Sequence, residues 1–375
     1  MVRFSIDATN IKAGGGLTHL KQLVENNSVK NDSIELIGGI WLKDIIDQDN
    51  VSKIIFKNDF KNIVTQEYFK KFKLEDFLKR SDIAFIPGGT FSSKKVDYVS
   101  MSQNMLVFEN LERNRFPISI TWLRYILLEK LQIKSFINAK GIIYISEYAK
   151  NFIENKYPIL REKKSIVIYH GISDDFRQEP KEQLPLSQYT EDKPFKLTYI
   201  SIVNFYKHQW NVIEAIKKLK KDDFNIELNI IGPIYEPVRE KFEKSLEGTE
   251  TYVNYKGKVP YLEISNTYKS SDLFIFASTC ENMPNILVEA MSAGLPILSS
   301  NYGPMPEILK DAGVYMDPTD VDSIYSNLKK MILDENLRAQ VAKKAYTYSQ
   351  DFSWEKTSKE TFDFIKEVGQ ENKFK

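Results

Sequence analysis

The chain has 375 residues, of which 42% are hydrophobic and 27% are charged, a composition typical of a globular protein. Its 52 lysines and arginines nearly balance its 51 aspartates and glutamates, which argues against a dedicated binder of nucleic acid or another polyanion. The length exceeds what one ordinary hydrophobic core needs, and we therefore expect two domains.

The only cysteine, Cys280, rules out a disulfide framework and a zinc site built from several cysteines, and it indicates a reducing compartment. The amino terminus has no basic segment followed by an apolar core, as a signal peptide would. No stretch reaches the roughly 18 uncharged apolar residues of a membrane-spanning helix. We therefore expect a soluble, cytoplasmic protein.

Short apolar runs alternate with amphipathic segments along both halves of the chain, which predicts βαβ units and parallel sheets. In the first half, strands are predicted at 2–8, 34–39, 51–56, 82–87, 141–146 and 165–170, with helical patterns at 16–26, 66–79, 121–138 and 147–156. In the second half, strands are predicted at 195–203, 224–232, 252–257, 272–278, 295–300 and 313–317.

Between the halves, residues 173–194 are polar, contain three prolines and show no sustained period. The simplest architecture is two doubly wound α/β domains, 1–172 and 195–350, joined by this linker. Residues 351–375 are predicted to form a helix that packs back on the first domain. Ligands of such sheets bind beyond the carboxyl ends of the strands, so we expect the site in a cleft between the domains.

One strand–loop–helix unit, "DLFIFASTCENMPNILVEAMSAG", carries two glutamates eight positions apart. Pro284 suits the first turn of a helix, and Gly294 suits its carboxyl end. Glu281 then lies in the loop, and Glu289 lies one to two turns into the helix. A loop charge and an exposed helical glutamate are the alternative interpretation.

The opening amides of this helix, near Asn285 and Ile286, form an anion site together with the helix dipole. Carboxylates beside it would repel a phosphate, so Glu281 and Glu289 are expected to accept hydrogen bonds from neutral hydroxyls. An anion flanked by hydroxyls describes a nucleotide sugar, with its diphosphate at the helix, its hexose toward Glu281 and its ribose toward Glu289.

The stretch "CENMPNILVEAMSAGLPILSSNYGPMPEIL" (280–309) resembles the donor-site signature of glycosyltransferase family 4, the retaining GT-B enzymes. The resemblance extends to "AGGGLTHLKQL" (13–23), "ISEYAKNFI" (145–153) and "VIYHGI" (167–172). It implies the GT-B fold, two Rossmann-like domains facing an interdomain cleft. It also implies a nucleotide-sugar site that includes Gly232, His208, Val259, Asn282, Met283, Pro284, Asn285, Ile286 and Glu289.

Lys207 precedes a helical pattern after the first strand of the second half, where it can neutralise a diphosphate. Read locally it is a solvated lysine at a loop tip, but the resemblance implies a catalytic lysine there. The family usually has an arginine a few residues earlier, where this chain has Asn204. His208, or Arg113 and Arg115 from the first domain, are the candidates to supply the missing charge.

The loop "AGGGLTHL" follows the first strand and does not match a dinucleotide-binding fingerprint. It is a tight turn or a ligand contact on local grounds, and the resemblance implies that Gly15 and Gly16 line the substrate cleft. Asn104 is the candidate to face the transferred sugar, with a structural role as the alternative.

No essential metal or cofactor is expected, because the three histidines form no spaced motif. The acidic triplet 320–322 is interpreted as part of a helix cap, with Thr319 and Asp322 forming a capping box. The basic and aromatic segments 67–80 and 122–140 are either ordinary amphipathic helices or surfaces for an anionic membrane, and we favour the membrane for 122–140.

The expected function is a retaining glycosyltransferase, with Glu281, Lys207 and Asn104 as catalytic residues. It would move a sugar from a nucleotide sugar to a saccharide acceptor, lipid-linked in some pathways, in surface-glycan biosynthesis. A GT-B nucleotide-sugar epimerase and a non-catalytic nucleotide-sugar-binding scaffold remain the alternatives.

Overall fold

A computed structural model describes residues 1–12, 14–56, 69 and 73–371, without the side chains of residues 261 and 262. The chain divides into two compact units. The amino-terminal unit comprises Met1–Arg113, Pro117–Gly171 and Phe352–Lys375, and the carboxy-terminal unit comprises Asn114–Phe116 and Ile172–Asp351. Residues 66–68 and 70–72 of the helix predicted at 66–79 lie outside the described residues, as do 67, 68 and 70–72 of the basic segment 67–80.

The amino-terminal unit contains a seven-stranded parallel sheet in the order β3-β2-β1-β4-β5-β6-β7. Its strands are β1 (Arg3–Asp7), β2 (Ser33–Gly38), β3 (Val51–Ile55), β4 (Ile83–Ile86), β5 (Tyr98–Ser102), β6 (Gly141–Tyr144) and β7 (Lys164–Val167). Six of these strands were predicted. The fifth, β5, was missed because its sequence YVSMS alternates with serine, whereas both of its faces are buried in the structure.

The described helices of this unit up to residue 171 are α1 (Gly14–Glu25), α2 (Glu75–Leu78), α3 (Asn110–Arg113), α4 (Ile120–Asn138) and α5 (Glu147–Lys156). Helices α4 and α5 each begin at a serine whose hydroxyl accepts a hydrogen bond from an amide of the first turn. Ser119 accepts from Trp122 at 3.3 Å, and Ser146 accepts from Ala149 at 3.1 Å. These caps satisfy amides that would otherwise lack a helical partner.

The carboxy-terminal unit contains a six-stranded parallel sheet in the order β10-β9-β8-β11-β12-β13. Its strands are β8 (Phe195–Ile200), β9 (Ile226–Ile231), β10 (Val253–Tyr255), β11 (Leu273–Phe276), β12 (Ile297–Ser300) and β13 (Val314–Met316), all of which were predicted. The strand order reverses between β8 and β11. In doubly wound sheets this reversal marks the crevice where ligands bind, because the connections on its two sides leave toward opposite faces.

The described helices of the carboxy-terminal unit surround this sheet. They are α6 (Gln209–Lys221), α7 (Arg239–Leu246), α8 (Tyr261–Ser270), α9 (Asn285–Ser292), α10 (Met305–Leu309), α11 (Val321–Leu333) and α12 (Glu335–Ser349). The cap of α11 differs from the predicted capping box. Asp320, rather than Thr319, accepts a hydrogen bond from the amide of Asp322 at 2.9 Å, and the Thr319 hydroxyl donates instead to Asp317 at 2.7 Å.

Residues 173–194, predicted as a linker, belong to the carboxy-terminal unit and contain the 3-10 helices Asp174–Phe176 and Leu186–Gln188. Within the segment, Phe176 and Tyr189 are buried. The wholly buried guanidinium of Arg338 donates to the carbonyl oxygen of Leu184 and to those of two residues in α11. The segment is therefore part of the packed unit.

The last helix, α13 (Trp354–Glu371), belongs to the amino-terminal unit. Phe362 packs edge-on against Phe4 of β1 at 5.5 Å between ring centroids, and the Ser358 hydroxyl donates to the carbonyl of Leu23 at 2.8 Å. Gly141 lets β6 approach this helix, since a Cβ there would lie 2.9 Å from a methyl group of Val368. Among the described helices, none is both long and apolar enough to cross a membrane.

Gly294 lies two residues after the end of α9 and adopts the left-handed conformation, with φ at +66°. A Cβ at this position would lie 2.6 Å from the backbone nitrogen of Pro180. We expect Gly294→Ala to lower the free energy of unfolding by at least about 3 kcal/mol, since backbone strain and a clash with backbone add together. Gly248→Ala is the matched control, because Gly248 has φ at +71° with open space around it. The control should lose only about 1 kcal/mol. Urea unfolding of both variants gives the comparison, and equal losses would contradict the packing around Gly294.

Candidate functional site

Two loops meet at the reversal point of the carboxy-terminal sheet. The first joins β8 to α6 and the second joins β11 to α9. The amide of Thr279 donates to the carbonyl of Tyr206 at 2.9 Å. The hydroxyl of Thr279 also lies 3.1 Å from Nε2 of His208. These bonds hold the two loops in one arrangement, so side chains from both can act on the same ligand.

Lys207 and Glu281 form an ion pair across these loops, through Nζ and Oε1. The side chains are 5% and 15% exposed, so the pair is largely shielded from solvent and its electrostatic interaction is stronger than that of a surface pair. The ammonium group also lies 4.9 Å from the ring centroid of Phe276 at the end of β11. The Tyr199 hydroxyl donates to the carbonyl of Lys207 at 2.5 Å and fixes the backbone of the loop.

Helix α9 begins at Asn285, four residues after Glu281. Pro284 occupies the N-cap position, one residue earlier than the predicted first turn, and its carbonyl accepts from the amide of Leu287 at 2.9 Å. Asn285 and Ile286 are half-buried, whereas Asn282 and Met283 are buried in the preceding loop. The opening turn of α9 is therefore accessible and carries the partial positive charge of a helix amino terminus.

Glu289 is buried in α9 with 8% of its surface exposed, which excludes the alternative of an exposed helical charge. The hydroxyl of Tyr268 on α8 donates to its Oε2 at 3.1 Å. Burial raises the pKa of Glu289 to about 7, because desolvation disfavours the charged form more than the Tyr268 hydrogen bond favours it. Glu289 is thus able to gain or lose a proton near neutral pH.

His208 adopts the left-handed conformation with φ at +48°, which is unusual for a residue with a side chain. It is buried, and its pKa is lowered to about 4 by burial first, and then by the nearby positive charges of Arg115 and Lys241. The imidazole is therefore neutral at pH 7. The expectation that His208 could supply positive charge is wrong for this reason, although its bond to Thr279 connects the two loops.

Arg113 is paired within the amino-terminal unit. It belongs to the amino-terminal unit, where its guanidinium is buried and donates to Glu129 at 2.7 Å and to the carbonyl of Val107 at 2.9 Å. Asn204 is buried, and its side-chain oxygen accepts from the amide of Phe205 at 2.7 Å. Arg115, only two residues after Arg113, belongs instead to the carboxy-terminal unit.

Gly232 follows β9 with φ at +138°, and a Cβ there would lie 2.1 Å from the carbonyl oxygen of Ser201. Only glycine permits this approach of the loop after β9 to the loop after β8. Its carbonyl accepts from the Tyr255 hydroxyl at 2.9 Å. Val259 is half-buried in the loop between β10 and α8, and the structure gives no contact that defines a role for it.

Gly15, Gly16 and Asn104 belong to the amino-terminal unit. Gly15 lies in the first turn of α1 with open space around its Cα, and Gly16 faces the side chain of Gln103, whose Oε1 would lie 3.3 Å from an added Cβ. Asn104 is exposed, and its side-chain oxygen accepts from the amide of Leu106 at 3.0 Å, which caps a 3-10 helix. The structural role of Asn104 is therefore present, and its role toward a sugar stays a prediction.

Two residues of the site were not singled out from the sequence. Thr279 lies in the same loop as Glu281 and directly follows the strand predicted at 272–278, and this position could have indicated its role. Tyr268 lies 21 positions before Glu289 on another helix, and no local pattern indicates that the two side chains meet. In the part of the chain that the structure describes, no three metal-ligating side chains cluster.

Residues 181–348 match the family model of group 1 glycosyl transferases. The chain is 26% identical over 243 residues to O-antigen chain mannosyltransferase B of Escherichia coli. The aligned residues cover 64% of this chain and 64% of that relative. The alignment thus spans less than two thirds of the relative's length.

Two solved structures share the fold over nearly the whole chain. Sucrose-phosphate synthase of Thermosynechococcus elongatus has a TM-score of 0.76 and 13% identity, with 98% of this chain and 99% of that chain covered. HepE of Anabaena, in complex with UDP, has a TM-score of 0.71 and 17% identity, with 98% and 100% covered. These likenesses confirm the prediction of a GT-B fold with two Rossmann-like α/β domains. The family match concerns residues 181–348 of the carboxy-terminal unit, which are similar to group 1 glycosyl transferases.

Proposed function

We propose that this chain is a retaining glycosyltransferase of the family 4 type, which transfers a sugar from a nucleotide sugar to a saccharide acceptor. The observation that carries the proposal is the Lys207–Glu281 ion pair beside the opening turn of α9, with Glu289 buried in the same helix. Lys207 and Glu281 lie in the two loops at the reversal point of the sheet, and Glu289 lies in the helix that follows the second of these loops. A cation and helix amides there suit a diphosphate, and the acidic side chains suit hydroxyls.

The donor would displace part of the Lys207–Glu281 interaction. Its phosphates would take the Lys207 ammonium and the amides of Asn285 and Ile286, and its hexose hydroxyls would donate to Glu281. The ribose hydroxyls would donate to Glu289. Lys207 and Glu281 would each exchange one partner for another, so neither charge is left buried and unpaired.

In the proposed reaction, the bond between the anomeric carbon and the phosphate oxygen breaks, and a bond to the acceptor oxygen forms on the same face of the sugar. The proton of the acceptor hydroxyl passes to the departing phosphate oxygen. Lys207 and the opening amides of α9 stabilise the charge that develops on the leaving diphosphate. We propose that the reaction needs no metal, and that Lys207 and these amides supply part of the positive charge that a metal would otherwise provide.

The acceptor is proposed to be a growing surface polysaccharide. This rests on the similarity to an O-antigen chain mannosyltransferase, and the complex of HepE with UDP favours a nucleoside diphosphate as the leaving group. An epimerase or a non-catalytic scaffold would share the donor site. Release of nucleoside diphosphate that depends on the acceptor would distinguish a transferase from both.

We propose that the protein is cytoplasmic and works at a membrane surface. The exposed residues of the long helix α4 support the membrane contact. Its six exposed side chains are Ile120, Leu123, Leu127, Arg124, Lys130 and Lys134. Its only acidic residue, Glu129, is buried and paired with Arg113 and Lys156. The exposed residues of α4 are thus either apolar or positively charged, and none of them is acidic. Leu111 and Ile118, nearby in sequence, are 85% and 86% exposed. Such a face matches an anionic lipid surface, where a lipid-linked acceptor would reside.

Lys207→Met is expected to lower the rate of transfer by about 10²-fold or more, because it removes charge stabilisation from the leaving diphosphate. Lys217→Met is the control, since Lys217 lies on α6 and pairs with Glu214 of the same helix. The measurement is release of nucleoside diphosphate from UDP-, GDP-, ADP- and dTDP-sugars, with and without a bacterial membrane extract as the source of acceptor. Normal transfer by both Lys207→Met and Glu289→Ala would show that the assignment is wrong.

Donor affinity is expected to rise between about pH 6 and about pH 8, by up to about tenfold. Ribose hydroxyls that donate to Glu289 favour its charged form, so binding lowers its pKa from about 7 and releases a proton, which makes binding tighter as the pH rises. Calorimetric titration of the preferred nucleotide sugar measures this, because its esterified phosphates do not titrate in the range. Glu289→Gln should remove the pH dependence. A wild-type affinity that is flat or that falls with rising pH would argue against a ribose contact.

Binding to vesicles of phosphatidylcholine and phosphatidylglycerol is expected to weaken at least about tenfold when Ile120 and Leu123 are both changed to serine. The matched control changes Ile159 and Leu333, which are 56% and 52% exposed elsewhere on the chain. Cosedimentation measures binding, and vesicles of phosphatidylcholine alone test the contribution of charge. Equal binding of both double variants would contradict the membrane surface.

A further inference from the structure

The charges of the proposed donor site do not balance with Lys207 alone. Glu281 already neutralises Lys207, and His208 is uncharged at pH 7. The departing nucleoside diphosphate carries more negative charge than the esterified donor, so the site has to supply more positive charge as the reaction proceeds. The amide dipoles of α9 contribute about half an elementary charge. A further cation near the loop of Lys207 would complete the balance.

A three-residue segment, Asn114–Phe116, brings such a cation into the carboxy-terminal unit. The ring of Phe116 is buried and contacts the rings of Phe205 and Tyr206, with centroids 5.0 Å and 6.5 Å away. It also packs against Tyr235 from the loop after β9, at 5.8 Å. Phe205 and Tyr206 directly precede Lys207, so Phe116 is anchored on the loop that carries the lysine.

Arg115 stands next to this anchor and is exposed to solvent. Its position near the loop is independently indicated by its electrostatic effects. Burial is the main cause of the lowered pKa values of His208 and Lys241, and the charge of Arg115 lowers both further. Lys241 lies over the ring of Trp210, at 3.9 Å from its centroid, at the beginning of α6. Arg115 is therefore close to the amino end of α6, which begins two residues after Lys207.

We propose that Arg115 is a diphosphate-binding residue, whose guanidinium contacts the phosphates of the donor and of the departing nucleoside diphosphate beside Lys207. The inference rests on the proposed function, and it names the residue that supplies the further positive charge that the leaving diphosphate requires. A guanidinium is permanently charged and presents a planar pair of donors that matches phosphate oxygens. The two arginines of "ERNRF" thus have different tasks, because Arg113 is enclosed by Glu129 and Arg115 is exposed next to the Phe116 anchor.

The test titrates UDP, GDP, ADP and dTDP into the full-length protein by calorimetry, and then compares the tightest of these with its monophosphate. Arg115→Gln is expected to weaken diphosphate binding by about tenfold, the effect of one charge-assisted hydrogen bond, and to weaken monophosphate binding less. Arg115→Lys should retain part of the affinity. Arg239→Gln is the control, since this arginine of the same unit has a side chain that is 43% exposed and is paired with Glu236 and Glu243.

Unchanged diphosphate binding by Arg115→Gln, with tight binding by the wild type, would overturn the role of Arg115 and leave the proposed function standing. Absence of binding of all four diphosphates to the wild type would overturn both. A purely structural role in seating Phe116 would lower the unfolding temperature without nucleotide and weaken the mono- and diphosphate equally. That result would also overturn the inference.

Discussion

The connection between the loops after β8 and β11 is the constraint on which the rest of the candidate site depends. Parallel strands on the two sides of the reversal point send their connections to opposite faces of the sheet, so an open crevice between them follows from the topology. In this chain the Lys207–Glu281 ion pair and the His208–Thr279 hydrogen bond hold the two loops together across that crevice. The opening turn of α9 is thereby presented beside a cation that comes from the other loop.

The site combines groups that local stability alone would not select. Glu289 is a carboxyl group buried in a helix, with its pKa raised to about 7, and His208 occupies a left-handed backbone conformation. Both cost free energy of folding, because a buried carboxylate loses its hydration and a side chain crowds the backbone at positive φ. Such costs concentrate where a structure binds or transforms a ligand, and here both occur within the same pair of strand–loop–helix units.

Much of the fold could be predicted from the sequence, because strands and helices leave local periodic patterns. All six strands of the carboxy-terminal sheet were expected, whereas β5 in the other sheet was missed. Its serines read as a polar face, but Ser100 is buried and its hydroxyl lies 3.1 Å from that of Ser135. The predicted cap of α11 was wrong by one residue, because Asp317 holds Thr319 and leaves the capping position to Asp320.

What the sequence determined by itself is the local unit: a strand, a loop with Glu281, and a helix that carries Glu289, since all three depend on residues within a few turns of each other. Tertiary structure alone decided which groups meet this unit. Tyr268 became the partner of Glu289, and Arg113 and Arg115, two positions apart, were directed into different units. The reason is physical, because burial and pairing depend on contacts between segments that are distant along the chain, and no local period records them.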